Sequence, residues 1–317
     1  FNDPLIYNRR IMNLFCNFKY ELIADDTRRS ALSRFAGCRR AVFNKALELQ
    51  NDRKAKSEKP ISYLEMAHLL MEWKQTEEMA FLKEAPSQAL QQTLMDLDRA
   101  IKDTFRKKGD PAKKRWPRFK AKDIGDGFRL PQVKPQDIDE PNGRVKLPKL
   151  GWVKAKIHHR PKEDWKLKSA TVTQNRDDSY QVSILFAYEE SISPAVVTKE
   201  TTIGLDYKSD GLYVSSEGDT CGMPHYFRQS ADKLAKAQRK LRHKTIGSKN
   251  YNKQQKRTAK IHRHIANQRK DFLQKKSTEI ANQYSFVCVE DLNMKAMANR
   301  GFGNGKATLD RSEEHTS

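Results

Sequence analysis

The chain has 317 residues and carries 61 Lys+Arg against 40 Asp+Glu, a net charge of +21 with an isoelectric point near 9.7. That length leaves room for about two domains and a substantial core, and the charge points to a polyanionic partner rather than a neutral metabolite or an acidic protein. Hydrophobic residues make up 37% and mean hydropathy is −0.86. No run approaches the ~20 apolar residues of a membrane span. Cys16, Cys38, Cys221 and Cys288 form no C-x-x-C pair, which argues against a disulfide framework and a complete zinc site and fits a reducing, cytoplasmic setting.

Residues 1–11 precede the first methionine, Met12, and read as upstream read-through. Alternation from Leu14 to Leu22 predicts a strand, and Asp25-Asp26-Thr27 supplies helix-capping residues. Leu32, Phe35, Cys38, Val42, Ala46 and Leu49 recur at three- and four-residue intervals and predict an amphipathic helix. Leu64, Ala67, Leu70 and Met71 mark a second helix. Pro86-Ser87 opens a third, with Leu90, Leu94, Leu97, Ile101 and Phe105 as its apolar positions. Residues 26–108 are therefore expected to be helical. From Pro111 to Pro148, frequent Pro and Gly exclude long helices. Runs at Trp152 to Ile157, Ser169 to Thr173 and Tyr180 to Ala187 read as strands. The expected organisation is a small β domain from residues 12–25 and 109–190 with the helical domain inserted in it, followed by a linker over 191–200.

From Thr201 the pattern becomes α/β. Ile203-Gly204-Leu205 is a short apolar strand ending in Asp206, and Gly211 to Val214 is the next. Two basic helices follow, over about 228–244 and 252–283, with Leu234, Ala237 and Leu241 as the buried stripe of one and Ile261, Ile265, Phe272 and Ile280 as that of the other. Phe286 to Val289 is a final apolar strand running into Glu290. Arg311 to Ser317 resembles the translation of a sequencing-library adapter and is set apart from the fold.

Two apolar strands thus end in the acidic residues Asp206 and Glu290. In nucleases of the RNase H type, carboxylates from different strands converge on a pair of Mg²⁺ ions, because Mg²⁺ prefers hard oxygen ligands and activates water for phosphodiester cleavage. A strand ending in Asp is more often a turn or a helix cap.

Four blocks change the weight of this reading: Ile203-Gly204-Leu205-Asp206, Gly247-Ser248-Lys249-Asn250, Asn267 to Phe272, and Val289-Glu290-Asp291-Leu292-Asn293-Met294. With Gly37-Cys38-Arg39, Asn44, Trp116 to Lys120 and Leu147 to Gly151 upstream, the chain resembles, in colinear order from Met12 to Asp310, the TnpB (OrfB) family of transposon-encoded proteins, relatives of type V CRISPR effectors. The resemblance implies an RNA-guided DNA endonuclease with a RuvC-type, RNase H-like domain over 201–310. It implies Asp206 and Glu290 as the first two catalytic, metal-holding carboxylates, with Mg²⁺ or Mn²⁺ as cofactor. It places the third carboxylate further on, beyond a zinc ribbon, so zinc is expected only there. The chain is expected to be truncated before both and not to cut. Asp310 matches a non-catalytic position.

Between Ala231 and Lys276 stand sixteen Lys/Arg against two Asp/Glu. One-signed density of this kind fits a phosphate backbone better than a solvated face, where both signs mix. Lys233, Lys236, Arg239, Lys240, Arg242, Lys249, Lys256, Arg257, Lys260, Arg263 and Arg269 are the candidate contacts there. Upstream, Lys113, Lys114, Arg115, Arg118 and Lys120 interleave with Trp116, a mixture suited to phosphate contact and base stacking; Trp116 and Phe119 equally suit anchoring to a core. The histidines 158, 159, 243, 262 and 264 have no structural-zinc ligand spacing. DNA and a structured guide RNA are the expected partners, in the cytoplasm or on the nucleoid, with no membrane and no small-molecule substrate. The alternatives are a non-catalytic DNA- or RNA-binding transposition accessory or regulator, and a ribosomal-type RNA-binding protein.

Overall fold

The computed structural model describes residues 10–122, 126–158, 161–192, 197–208 and 211–292. Of the read-through expected over 1–11, residues 1–9 lie outside the described residues, as do His159, linker residues 193–196, and Asp310 with the adapter-like tail, whereas Arg10 and Ile11 belong to the first strand. The chain divides into two units, one over Ile11–Ser191 and the other built mainly from Ile192 onward.

The first unit opens with β1 (Arg10–Ile23), which buries Tyr20 and Leu22 on one face. Asp25 caps α1 (Asp26–Ala55) by accepting from the Arg28 backbone N–H at 2.7 Å, and the predicted stripe from Leu32 to Ala46 is buried. A capping box between Ser62 and Glu65 starts α2 (Tyr63–Trp73). Its buried face is Met66, Leu70 and Trp73, whereas Leu64 and Met71, expected in the core, are exposed. Positions 66, 70 and 73 form a stripe at helical spacing that 64 and 71 do not share. In α3 (Ser87–Thr104) Leu90, Leu94, Leu97 and Ile101 are buried as their spacing predicts. Phe105 lies just past the helix and is exposed.

The strands β2 (Gly127–Leu130), β3 (Ile138–Asp139), β4 (Arg144–Leu147), β5 (Gly151–Ala155), β6 (Lys166–Gln174) and β7 (Tyr180–Ile192) follow. With β1 they form a seven-stranded sheet of order β2-β6-β7-β1-β5-β4-β3. The helices between β1 and β2 in sequence share one core with this sheet, from Leu32 and Leu94 to Val145 and Ile184. Gly127 must be glycine, because a Cβ there would collide with the Val172 carbonyl oxygen across the β2–β6 ladder. β7 runs to Ile192, so the expected linker loses its first two residues to the strand.

The second unit contains β8 (Thr202–Tyr207), β9 (Gly211–Ser215), β10 (Thr220–Gly222), α4 (Tyr226–Arg242), α5 (Lys249–Gln283) and β11 (Phe286–Val289). Its four-stranded sheet has the order β10-β9-β8-β11. The β10–β9 and β9–β8 pairs are antiparallel, and β11 is parallel to β8. Parallel neighbours need a long crossover, which α4 and α5 provide. The two helices pack through Leu234 and Ala237 of α4 and Gln254, Thr258 and Ile265 of α5, and Gln254 Nε2 donates to the Ala237 carbonyl at 3.1 Å. Leu241, Ile261, Phe272 and Ile280 are only half-buried.

Candidate active site and nucleic-acid interface

The β8–β11 ladder pairs Thr202 with Phe286, Ile203 with Val287, Gly204 with Cys288 and Leu205 with Val289. Asp206 and Glu290 are the next positions in that register, so two residues 84 apart in sequence stand at the same level of adjacent strands. Neighbouring strands lie ~4.8 Å apart, and residues in parallel register share a face. Both residues are exposed, and both line a cavity of about 980 Å³. Apolar side chains, among them Leu205, Leu212, Leu273, Ile280 and Val289, make up much of its wall. Asn267, Arg269 and Lys270 of α5 reach the same cavity. Paired exposed carboxylates are hard-oxygen donors that fit two positions of a divalent-cation ligand set. Among the described residues no group of three His, Cys, Asp or Glu is placed to hold a metal.

The basic helices present most of the expected cations outward. Lys233, Lys236, Arg239, Lys240 and Arg242 of α4 are exposed, as are Lys249, Lys256, Arg257 and Lys260 of α5; Arg263 is half-buried. Arg269 departs from the surface reading. It is 8% exposed, because it falls four residues after Ile265 on the buried stripe of α5. It reaches the Asp206–Glu290 cavity rather than the outer face.

The upstream basic segment is held against α1. The Asn44 side chain grips the Lys120 backbone at both ends, Nδ2 donating to its carbonyl at 3.0 Å and Oδ1 accepting from its N–H at 2.8 Å. Two turns along α1, Asn51 Oδ1 accepts from the Trp116 indole N–H at 2.8 Å. Trp116 also lies edge-on to Phe105 at 6.4 Å, with the Lys54 ammonium 4.3 Å from its ring centroid. Trp116 thus anchors the segment to α1 while its ring stays partly exposed. Phe119 is 58% exposed. Lys120 lies over the Phe43 ring at 4.3 Å, and burial, then the neighbouring Arg39 charge, pushes its ammonium below the usual lysine value. Lys114 pairs with Asp103 at 3.1 Å, and Lys113 donates to the Arg106 carbonyl at 2.8 Å. Arg115 and Arg118 are exposed.

Asn51 was missed in the sequence; its place seven residues after Asn44 on one helix face was the available signal. Arg40, ion-paired with Asp126, and Arg39, donating to the Gly127 carbonyl at 3.0 Å, were also missed as the ties between α1 and the start of β2. The four cysteines are free. His158 lies edge-on to Tyr20 at 5.6 Å, and His243, His262 and His264 are exposed. No helix among the described residues is long and apolar enough to cross a membrane.

Residues 183–301 match the OrfB_IS605 family, described as "Probable transposase". Residues 12–59 match an associated family described as "Helix-turn-helix domain"; here that stretch consists mainly of strand β1 and the single long helix α1. A protein of Escherichia coli (strain K12) named "Putative RNA-guided DNA endonuclease InsQ" is 36% identical over 287 residues, covering 90% of this chain and 68% of its own length. A "Putative RNA-guided DNA endonuclease" of Streptomyces pristinaespiralis is 32% identical over 284 residues, with the same coverage of 90% and 68%. Among solved structures, a Cas12f1-sgRNA-target DNA complex is 12% identical with a TM-score of 0.42, covering 90% of this chain and 70% of that one. A likeness that remote adds nothing to the assignment.

Proposed function

This chain belongs to the TnpB (OrfB) family of transposon-encoded proteins, and we propose that it supplies nucleic-acid binding and two metal-holding carboxylates to an RNA-guided DNA endonuclease. The observation that carries the reading is the parallel pairing of β8 with β11, which sets Asp206 and Glu290 side by side in the lining of one cavity. Strands separated by a long helical crossover, each delivering a carboxylate to one place, are what a RuvC-type site on an RNase H-like sheet requires. The names of both relatives, RNA-guided DNA endonucleases, support DNA as the substrate and RNA as the guide.

A divalent ion, Mg²⁺ or Mn²⁺, would be held by Asp206 and Glu290, and when bound it would activate water and offset charge on the cleaved phosphodiester. The rest of the work falls to this chain's own groups. Arg269, Lys270 and Lys276 line the same cavity as the carboxylates and offset their repulsion of an incoming phosphate. The exposed cations of α4 and α5 bind the polyanion through its backbone and do not read its sequence. The segment around Arg115 and Arg118, pinned by Asn44 and Asn51, adds further phosphate contacts upstream. A soluble protein acting on DNA in the cytoplasm or on the nucleoid follows from this reading.

The test is guide-directed cleavage of DNA in Mg²⁺ by a chain of the relatives' length, with Asp206→Ala and Glu290→Ala variants. Each variant is expected to lose cutting while keeping nucleic-acid affinity. A parent that never cuts with its native guide would favour the accessory or regulator reading, and a variant that cuts at the parent rate would remove that carboxylate from the site.

A further inference from the structure

The two crossover helices of the second unit set like charge against a narrow seam. α4 has six Lys/Arg against Asp232, a net +5, and α5 has ten against Asp271 and Glu279, a net +8. Both acidic groups of α5 pair within their own helix, Asp271 with Lys275 and Glu279 with Lys276, each at 2.7 Å. Few buried groups oppose the repulsion. α4 fully buries Leu234 and Ala237, and of the buried residues of α5, Gln254, Thr258, Ile265 and Arg269, one is apolar. By contrast α3, one residue longer than α4, buries eight, with Leu90, Leu94, Leu97 and Ile101 among them, and its net charge is −1. Gln254 crosses the seam of α4 and α5 as a neutral hydrogen bond, whereas Thr258 turns back to the Gln254 carbonyl on its own helix.

The ends of α4 are weakly held as well. Its N-cap is His225 at φ 49° and ψ 46°, the left-handed region that a residue with a Cβ enters at a cost, and no side chain caps the first turn or adds an acidic group to it. At the other end the turn into α5 passes through Gly247 at φ 83°. α4 is thus a one-signed helix without side-chain caps, held between two turns.

We infer that α4 is an electrostatic flap on α5: unscreened, the like charges open it, and a polyanion lying across both helices closes it. Repulsion between exposed charges reaches about a Debye length, ~30 Å at 0.01 M salt and ~8 Å at 0.15 M. Packed helices lie ~8–10 Å apart, so in dilute buffer most cations of α4 meet most cations of α5, and near physiological salt few do. The apolar contacts of Leu234, Ala237 and Ile265 have no such dependence. A phosphate chain acts more strongly than simple salt, because its charges are linked and lie against both rows at once. Such a flap stands whether or not Asp206 and Glu290 hold a metal.

Amide hydrogen exchange of the 317-residue chain, read by mass spectrometry with α3 as internal reference, tests the flap. In ~0.01 M sodium chloride the amides of α4 should exchange about tenfold or more faster than in ~0.15 M, while those of α3 keep one rate. Inorganic polyphosphate, which has charge and no bases, should slow α4 at ~0.01 M salt by at least about the same factor. Combining Lys233→Gln, Lys236→Gln, Arg239→Gln and Lys240→Gln keeps helix propensity nearly constant and leaves α4 at net +1. In that variant α4 should be as protected in dilute buffer as the parent's α4 is at ~0.15 M.

Equal α4 rates in the parent at the two salt levels, slow or fast, would overturn the inference, as would a variant whose α4 still needs salt for protection. Acceleration of α3 together with α4 in dilute buffer would mark a general loss of stability and overturn it too. Should the variant lose protection in α5 as well, and so be misfolded, the salt series on the parent decides by itself.

Discussion

Replacing Asn44 by alanine removes both hydrogen bonds that hold the Lys120 backbone on α1. A typical intramolecular hydrogen bond contributes ~0.5–1.5 kcal/mol net, and these two bonds are only part-buried, so water can partly replace the lost partner; about 2 kcal/mol is the expected loss. For a unit of this size that corresponds to about 4–8 °C in Tm. Asn51→Ala removes the single bond to the Trp116 indole and should cost about half as much. The assay is urea unfolding followed by tryptophan fluorescence. All four tryptophans, Trp73, Trp116, Trp152 and Trp165, lie in the unit over Ile11–Ser191, so the signal reports that unit alone. Neither substitution changes a charge, so each should weaken nucleic-acid binding through the disorder of the segment around Arg115 and Arg118 while leaving the salt dependence unaltered. An Asn44→Ala protein within about 0.5 kcal/mol of the parent, a range ordinary for surface changes, would show that the clamp does not hold this segment.

Binding of duplex DNA should weaken steeply with salt, and Lys236→Ala or Lys260→Ala should each lower the slope of log K against log salt by about 0.9 if that lysine meets a phosphate; titration by fluorescence anisotropy at several ionic strengths measures it. Arg269→Ala, because that side chain is buried in the packing of α5, should in addition destabilise the protein by ~1–3 kcal/mol in thermal unfolding. Asp206→Ala and Glu290→Ala should each weaken Mn²⁺ binding at least tenfold, read by water-proton relaxation; retained Mn²⁺ affinity in both would sever the pair from metal binding. Hydrogen bonds from Arg106, then from Lys114, hold the Asp103 carboxyl below its ordinary range. Its stabilising contribution is therefore complete above the ordinary carboxylate value of about 3.9 and is lost as pH falls through the lowered folded value. A carboxyl NMR titration of Asp103 should show a midpoint below that of a free aspartate, moving back up in Arg106→Met.

The sequence by itself determined the elements whose signal is local. The three- and four-residue spacing from Leu32 to Ala46 and from Leu90 to Ile101 predicts buried helix faces that the structure has. The one-signed charge of α4 and α5 is likewise readable directly, because charge sums without reference to folding. Short strands were harder. β2, β3 and β4 hold 4, 2 and 4 residues inside a Pro- and Gly-rich stretch, too few for alternation to emerge, and they exist because neighbouring strands pair with them.

Only the tertiary structure decided which residues meet. Asp206 and Glu290 each ended an apolar run in the sequence, yet their adjacency depends on β11 pairing parallel to β8 in the register of Leu205 with Val289; a one-residue slip would turn Glu290 to the other face. Among the cations, composition treats Arg269 and Lys260 alike, but the phase of α5 against α4 and the sheet buries one and exposes the other. Trp116 suits stacking and anchoring alike in the sequence, and only the fold supplies Asn51 and Phe105 as its partners. The physical reason is the same in each case: a side chain's chemistry is local, whereas its partners are supplied by chain segments whose arrival depends on every contact folding brings together.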